Sequence, residues 1–199
     1  MTKKIYTNPE SYEKDLYEKL EEFINVEKRT PGNILNIKDV TQSIHKHITY
    51  LMGKQFLDSL NLSDDNFKYE AMCNNGFDIE IHAKDGVGKN IVAEIKGNMP
   101  VNGDSYGSAQ KTSIKNDISY LINGKKKNTN YTTKESLEGV YRFLILLADN
   151  ENAINNLITS LTKQDTGNSV SFKIWKEPLE QYSLEDFEPK IINVVFVTL

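Results

Sequence analysis

Cysteine is almost absent from this 199-residue sequence, in which Cys73 is the single example. One cysteine excludes a disulfide within the chain and is typical of a reducing compartment, so we expect a cytoplasmic protein. No apolar run approaches the roughly 20 residues that a membrane-spanning helix requires. The first residues include lysines but lack the apolar segment of a signal peptide, so we expect neither a membrane partner nor secretion.

An overall excess of positive charge is also missing, because the formal net charge is -4. By itself this value argues weakly against a nucleic-acid partner. The distribution is uneven, however: residues 71–135 carry nine Lys and Arg against seven Asp and Glu, whereas the segments on either side are acidic. A partner with phosphate groups would therefore meet the middle of the chain first.

The length and the lack of internal repeats favour a single domain over residues 1–199. Within it we expect an N-terminal helical part at about 9–60, a central part at about 67–148, and C-terminal helix and strands at about 151–199. Apolar residues at helical spacing predict helices at about 9–27, 38–60, 108–122 and 152–161. Alternating or continuous apolar runs predict strands at about 67–72, 77–82, 91–96, 141–148, 170–175 and 191–197. The fold class predicted by this order is α/β, with a mixed β-sheet flanked by helices.

Two of the predicted strands each combine one apolar face with one charged face. Side chains alternate along a strand, so Asp78, Glu80 and His82 share a face opposite Phe77, Ile79 and Ile81. On the next strand Glu94 and Lys96 share a face with Val92. If the strands pair in register, Asp78 and Glu94 lie about 5 Å apart.

Two adjacent carboxylates and a lysine suit metal-assisted chemistry on a phosphate ester. Mg²⁺ prefers oxygen ligands and is often held by one or two carboxylates plus a substrate phosphate. Lys96 follows Glu94 on the same face and would hold the attacking water or offset charge in the transition state. The pattern therefore predicts a Mg²⁺ site at Asp78 and Glu94, with Lys96 beside it.

Asp78, followed after a gap of 15 residues by Glu94-Ile95-Lys96, resembles the motif of the PD-(D/E)-x-K nuclease superfamily. The run VAEIKGN with the Gly-containing loop and polar helix after it is most similar to type II restriction endonucleases. The resemblance covers about residues 67–148, and Phe77 stands where the pattern has proline. It implies a restriction-endonuclease-like fold, metal ligands Asp78 and Glu94, catalytic lysine Lys96, and Mg²⁺-dependent cleavage of double-stranded DNA. A homodimer is the expected assembly, because two-fold symmetry matches a palindromic site.

The segments after the motif supply further candidates. In similar nucleases a glutamine on the following helix borders the active site, so Gln110 is the expected supporting residue. Lys111 and Lys115 lie near a predicted helix start, where phosphates bind readily. The basic loop residues Lys125, Lys126 and Lys127 are candidates for contact with the DNA backbone or a groove.

Several alternatives remain open on the sequence. The charged faces are also compatible with a solvent-exposed hairpin carrying an ordinary cross-strand salt bridge. Glu80 and His82 fit either a second metal or, more readily, a surface position, and Glu70 could reach the metal from the preceding strand. A repair or junction-resolving nuclease of the same fold, and a DNA-binding regulatory module without catalysis, are the alternative functions.

Overall fold

The computed structural model describes residues 35–62, 76–83, 88–97, 106–147 and 172–197, together with seven isolated residues. These seven are helical and fall inside the predicted helices at 9–27 and 152–161; they are Lys14, Tyr17, Glu18, Asn152, Asn155, Asn156 and Thr159. The predicted strand at 67–72 lies outside the described residues, as do Glu70 and Cys73.

Two long helices are described, α1 at Leu35–Ser59 and α2 at Ser108–Asn123, close to the bounds that the apolar spacing predicts. The buried stripe of α1 includes Met52 and Phe56, with Ile48 packed against the same cluster. Ile44, which lies four residues before Ile48, is 40% exposed. In a helix with 3.6 residues per turn, each step of four residues goes about 40° beyond a full turn. Ile44 precedes Phe56 by three such steps, so it no longer lies on the face that Phe56 buries.

The five described strands form one mixed sheet in the order β1-β2-β3-β5-β4. Their bounds are β1 Ile79–Ile81, β2 Ile91–Lys96, β3 Tyr141–Leu147, β4 Phe172–Ile174 and β5 Ile192–Val197. Strand β1 pairs with β2 in antiparallel fashion, and all the other pairs are parallel. The α/β class with a mixed sheet is therefore confirmed.

The central strands are buried on both faces, which explains the nearly continuous apolar runs of β3 and β5. One face packs on α1 through Ala93, Phe143, Ile145 and Val195, among others. The opposite face packs on α2 through Val92, Leu144, Leu146 and Val194. Arg142 of β3 links α2 to the sheet, because its guanidinium donates a hydrogen bond to the carbonyl of Leu121 in α2. It also donates a hydrogen bond to the carbonyl of Pro189, just before β5.

The first strand is shorter than the predicted 77–82 and begins at Ile79. Ile79 and Ile81 lie in the cluster under α1 as their alternation predicts. Phe77 was expected beside them but packs in the cluster under α2. The alternation of faces applies only within a strand, and Phe77 precedes it.

No helix among the residues that the structure describes is long and apolar enough to cross a membrane.

Phe143 contacts other aromatic rings of the core on the α1 side of the sheet. Its truncation should measure how much this packing contributes to the stability of the fold. Its ring is fully buried and lies 4.9 Å from the ring centroids of both Phe56 and Phe187. Phe143→Ala should lower the free energy of unfolding by about 3–5 kcal/mol, through lost transfer energy and the cavity that remains. Urea unfolding measures this, with exposed Ile44→Ala as a control expected to change stability by about 0.5 kcal/mol or less. Equal losses in the two variants would contradict the described packing.

Candidate functional site

The charged faces of β1 and β2 lie inside the protein. The antiparallel register pairs Ile79 with Ala93, so its continuation by one residue places Asp78 opposite Glu94. Glu94 is only 3% exposed and Glu80 only 4%. The alternative of a solvent-exposed hairpin with an ordinary surface salt bridge is therefore wrong, because these carboxylates lie beneath α2 and the loop after it.

Asp78 is held against β2 by the backbone. Its Oδ2 accepts a hydrogen bond of 2.8 Å from the amide of Ile95, the residue next to Glu94. Burial raises the pKa of Asp78, and the Ile95 amide, with Lys125 and Lys96, partly opposes that rise. The hydrogen bond fixes which side of β2 the carboxylate faces and keeps it beside Glu94.

Glu94 is the carboxylate whose ionisation the fold disfavours most clearly. Burial, followed by the negative charge of Asp78, raises the pKa of Glu94 well above its ordinary value. The ammonium of Lys125 forms an ion pair with Glu94 Oε1 and lowers this pKa in part. Two carboxylates in such proximity are more stable when a proton or a cation neutralises part of their charge.

Lys96 reaches a carboxylate that the sequence analysis did not single out. Its Nζ lies 2.9 Å from Oδ2 of Asp117, which is 5% exposed on α2. Burial raises the pKa of Asp117, while Lys96 opposes the rise. The Lys96–Asp117 ion pair connects β2 to α2 and determines where the lysine ammonium lies.

A signal for Asp117 was present in the sequence. Gln110, Ile114, Asp117 and Leu121 follow one another at steps of four, three and four residues, which is the spacing of one helix face. Ile114 and Leu121 are buried on that face. A carboxylate on an otherwise inward-facing stripe indicates a buried charge with a partner.

Lys125 lies within the site, unlike the two lysines that follow it. Its ammonium contacts both the Glu94 carboxylate and the carbonyl of Gly76. Lys126 and Lys127 are exposed in the same loop. DNA contact by these three lysines stays a prediction, but in the structure the Lys125 charge is directed inward.

The loop that carries Lys125 is shaped by two glycines. Gly124 ends α2 with φ of 82°, a conformation that side chains disfavour, and a Cβ there would lie 2.6 Å from the backbone of Thr132 and Thr133. A Cβ on Gly76 would lie 2.6 Å from the carbonyl oxygen of Asn128. The chain before β1 therefore packs directly on the loop.

Glu80 and His82 anchor that loop and do not lie on the surface as expected. Glu80 Oε1 accepts a hydrogen bond from the amide of Asn130 and lies 3.1 Å from Nε2 of His82. The His82 ring is stacked on Tyr131, with centroids 5.8 Å apart. These residues were misjudged because the partners that cover them lie about 50 positions further along the chain.

The helix residues named from the sequence occupy different positions around the site. Gln110 lies in the first turn of α2, and its Oε1 accepts a hydrogen bond of 2.7 Å from the amide of Gly107. Its acceptor oxygen therefore caps the helix. Lys111 is partly buried and Lys115 is exposed on the same helix.

The oxygen atoms available at this site are of the kind that a hard cation binds. Asp78 and Glu94 offer carboxylate oxygens, which Mg²⁺ prefers, and an ammonium already neutralises part of their charge. The residues that the structure describes include no group of three or more His, Cys, Asp or Glu side chains that could hold a metal by themselves. A metal bound here would take its remaining ligands from water or substrate, which is the common arrangement for Mg²⁺.

Comparison with protein-family models, with curated proteins and with solved structures found no match for this chain.

The raised pKa of Glu94 predicts how stability depends on pH. The folded protein keeps this proton to a higher pH than the unfolded chain, whose ordinary value is 4.5. The free energy of unfolding should therefore fall as the pH rises above 4.5 and continue to fall until Glu94 is ionised in the folded state. Denaturant unfolding in EDTA at several pH values should show a smaller fall for Glu94→Gln than for the wild type.

Exposed Glu138 provides the matched control for this measurement. Glu138→Gln should keep the pH profile of the wild type. A Glu94→Gln profile that coincides with the wild-type profile would contradict the buried, charge-disfavouring environment of Glu94.

Proposed function

We propose that this chain is a Mg²⁺-dependent endonuclease that hydrolyses phosphodiester bonds of double-stranded DNA. The observation that carries the proposal is the buried Asp78–Glu94 pair, with Lys96 and Lys125 as its neighbouring cations. Burying carboxylates costs folding free energy, and carboxylates with perturbed pKa values cluster at functional sites. The spacing of Asp78, Glu94 and Lys96 supports the same reaction through its resemblance to the PD-(D/E)-x-K nuclease motif.

Asp78 and Glu94 are the proposed ligands of the metal. The Ile95 amide orients one oxygen of Asp78, and the rigid pairing of β1 with β2 keeps Glu94 opposite. When bound, Mg²⁺ would lower the pKa of a water molecule and polarise the scissile phosphate. The two side chains contribute preorganised negative charge that needs no rearrangement of the sheet.

Lys96 is the proposed catalytic lysine, and Asp117 is the residue that positions it. The Lys96 side chain is about one-fifth exposed, so it lies at the edge of the buried group. Asp117 holds Nζ at 2.9 Å and restricts the rotamers of this long side chain. A fixed ammonium stabilises negative charge that develops on the phosphate without reorganisation at the moment of reaction.

The surface beside the site has the charge that DNA requires. Exposed Lys115, Lys126 and Lys127 and partly buried Lys111 lie on α2 and on the loop after it. We propose that they contact phosphates and set the register of the duplex.

We further propose a restriction-endonuclease-like fold and a type II restriction activity by a cytoplasmic homodimer. The described mixed sheet with a helix on each face supports this fold. Two copies related by a two-fold axis would cut both strands of a palindromic sequence. A repair or junction-resolving nuclease and a DNA-binding module without catalysis are the alternatives, and cleavage assays separate all three.

Incubation with plasmid and phage DNA tests the activity directly. With Mg²⁺ the wild type should give discrete fragments whose sequenced ends share one site. Asp78→Ala and Glu94→Ala should keep a folded far-UV circular dichroism spectrum and abolish cleavage, because each removes a proposed metal ligand. Exposed Glu138→Ala is the matched control and should cut like the wild type.

The outcomes of this assay distinguish the candidate functions. Cleavage of branched DNA without cleavage of linear duplex would indicate a junction-resolving enzyme. Binding without any cleavage would indicate the non-catalytic module. Normal cleavage by either carboxylate variant would refute the assigned site.

Lys96 should affect the rate of cutting far more than it affects binding. Lys96→Ala removes one preorganised donor, which typically reduces the rate by about 10²–10³-fold. Its affinity for DNA, measured with Ca²⁺ in place of Mg²⁺, should remain close to that of the wild type. Lys96→Arg should also be slow, since a planar guanidinium cannot replace the compact ammonium.

Single-turnover cleavage beside a DNA titration measures both quantities. Lys89→Ala is the control, because Lys89 precedes the same strand and forms an ion pair with Glu185 at 2.8 Å. Full cutting activity in Lys96→Ala would remove the lysine from the mechanism.

A further inference from the structure

Lys125 occupies an environment that is built for a cation. Its ammonium meets the Glu94 carboxylate, the Gly76 carbonyl and the faces of two aromatic rings, with the centroids of Phe77 and Tyr120 each 5.2 Å away. Anionic, carbonyl and π-face groups all attract positive charge. The side chain is only 11% exposed, so this ammonium is largely removed from water.

The backbone of Lys125 is held by a hydrogen bond within the loop. Its amide donates to the carbonyl of Tyr131, which closes the loop from 125 to 131. The amide of Asn130 in the same loop is held by buried Glu80. Tyr120, one of the two rings beside the ammonium, is 43% exposed, so this side of the cation lies near the protein surface.

The contact between Lys125 and Glu94 is one that another cation could make. Glu94 Oε1 is buried, and its neighbour is the Lys125 ammonium in a charge-assisted contact. A carboxylate oxygen that binds an ammonium is also a ligand that a hard divalent cation prefers. Lys96 is engaged differently, because its partner Asp117 lies outside the Asp78–Glu94 pair.

We infer that Lys125 is an internal counter-ion of the Asp78–Glu94 pair, and that a divalent cation must displace its ammonium from Glu94 in order to bind there. A metal ion and an ammonium on the same carboxylate oxygen repel each other, and the ion of higher charge forms the stronger interaction. Lys125 then regulates how tightly the site holds metal, and it offsets part of the carboxylate charge when no metal is bound. The inference depends on the proposed metal site.

Calorimetric titration with Mn²⁺ in the absence of DNA tests this role. The variant is Lys125→Met, which keeps an unbranched apolar side chain against the two rings and removes the competing charge. At pH 8.5, where protons compete least for the carboxylates, its Mn²⁺ affinity should rise by about tenfold, equivalent to about 1.4 kcal/mol. Its melting temperature should fall without metal and recover more than that of the wild type when Mn²⁺ is added.

Lys134→Met is the matched control, since it removes one positive charge from an exposed position close in sequence. It should bind Mn²⁺ with the affinity of the wild type. Equal affinity in Lys125→Met and wild type, or weaker binding by Lys125→Met, would overturn the counter-ion role and leave the proposed nuclease site intact. Absence of Mn²⁺ binding in every form would overturn the metal site and the inference together.

A crystal structure of the wild type grown with Mn²⁺ gives a second measurement that needs no variant. The expected result is an anomalous peak at Asp78 and Glu94 with the Lys125 ammonium withdrawn from Glu94. A peak at that position with the Lys125–Glu94 ion pair still formed would overturn the inference.

Discussion

Burial of negative charge is the constraint on which the arrangement around the sheet depends. Glu80, Glu94 and Asp117 are each 5% exposed or less, and Asp78 is partly buried beside them. An ionised carboxylate without partners is too costly to bury, so each requires a cation or hydrogen-bond donors from another element. The partners come from Lys96 on β2, from the loop after α2, and from the backbone amides of Ile95 and Asn130.

These partners connect elements that apolar packing alone would leave free to slide. The Lys96–Asp117 pair fixes α2 relative to β2, and the Lys125–Glu94 pair fixes the C-terminal end of the same helix. Apolar contacts are not directional, whereas an ion pair specifies one register between helix and strand. The site and the docking of α2 on the sheet are therefore stabilised by the same interactions.

Compensation of charge at the site is incomplete. Even with both lysines present, burial raises the pKa values of Asp78, Glu94 and Asp117, and the negative charge of Asp78 adds to the rise at Glu94 and Asp117. A protein under selection for stability alone would replace such a group with apolar side chains at little cost. The residual negative potential gives the proposed Mg²⁺ a favourable place to bind, and it connects the stability of the fold to the occupancy of the site.

The sequence by itself predicted the type of each long helix and each strand that the structure describes, the bounds of β2, and nearly the bounds of α1, α2, β3 and β5. Apolar periodicity carries this information because it reports which faces are buried. Alternation also put Asp78 and Glu94 on the charged faces of their strands, and the register that brings the two opposite each other comes from the structure. Only the tertiary structure decided that this face is buried, that Asp117 pairs with Lys96, and that Lys125 points inward while Lys126 does not. Those contacts join residues that are 21 to 50 positions apart in the sequence. They form only because α2 and the loop after it pack on the sheet, and no local sequence pattern encodes that packing.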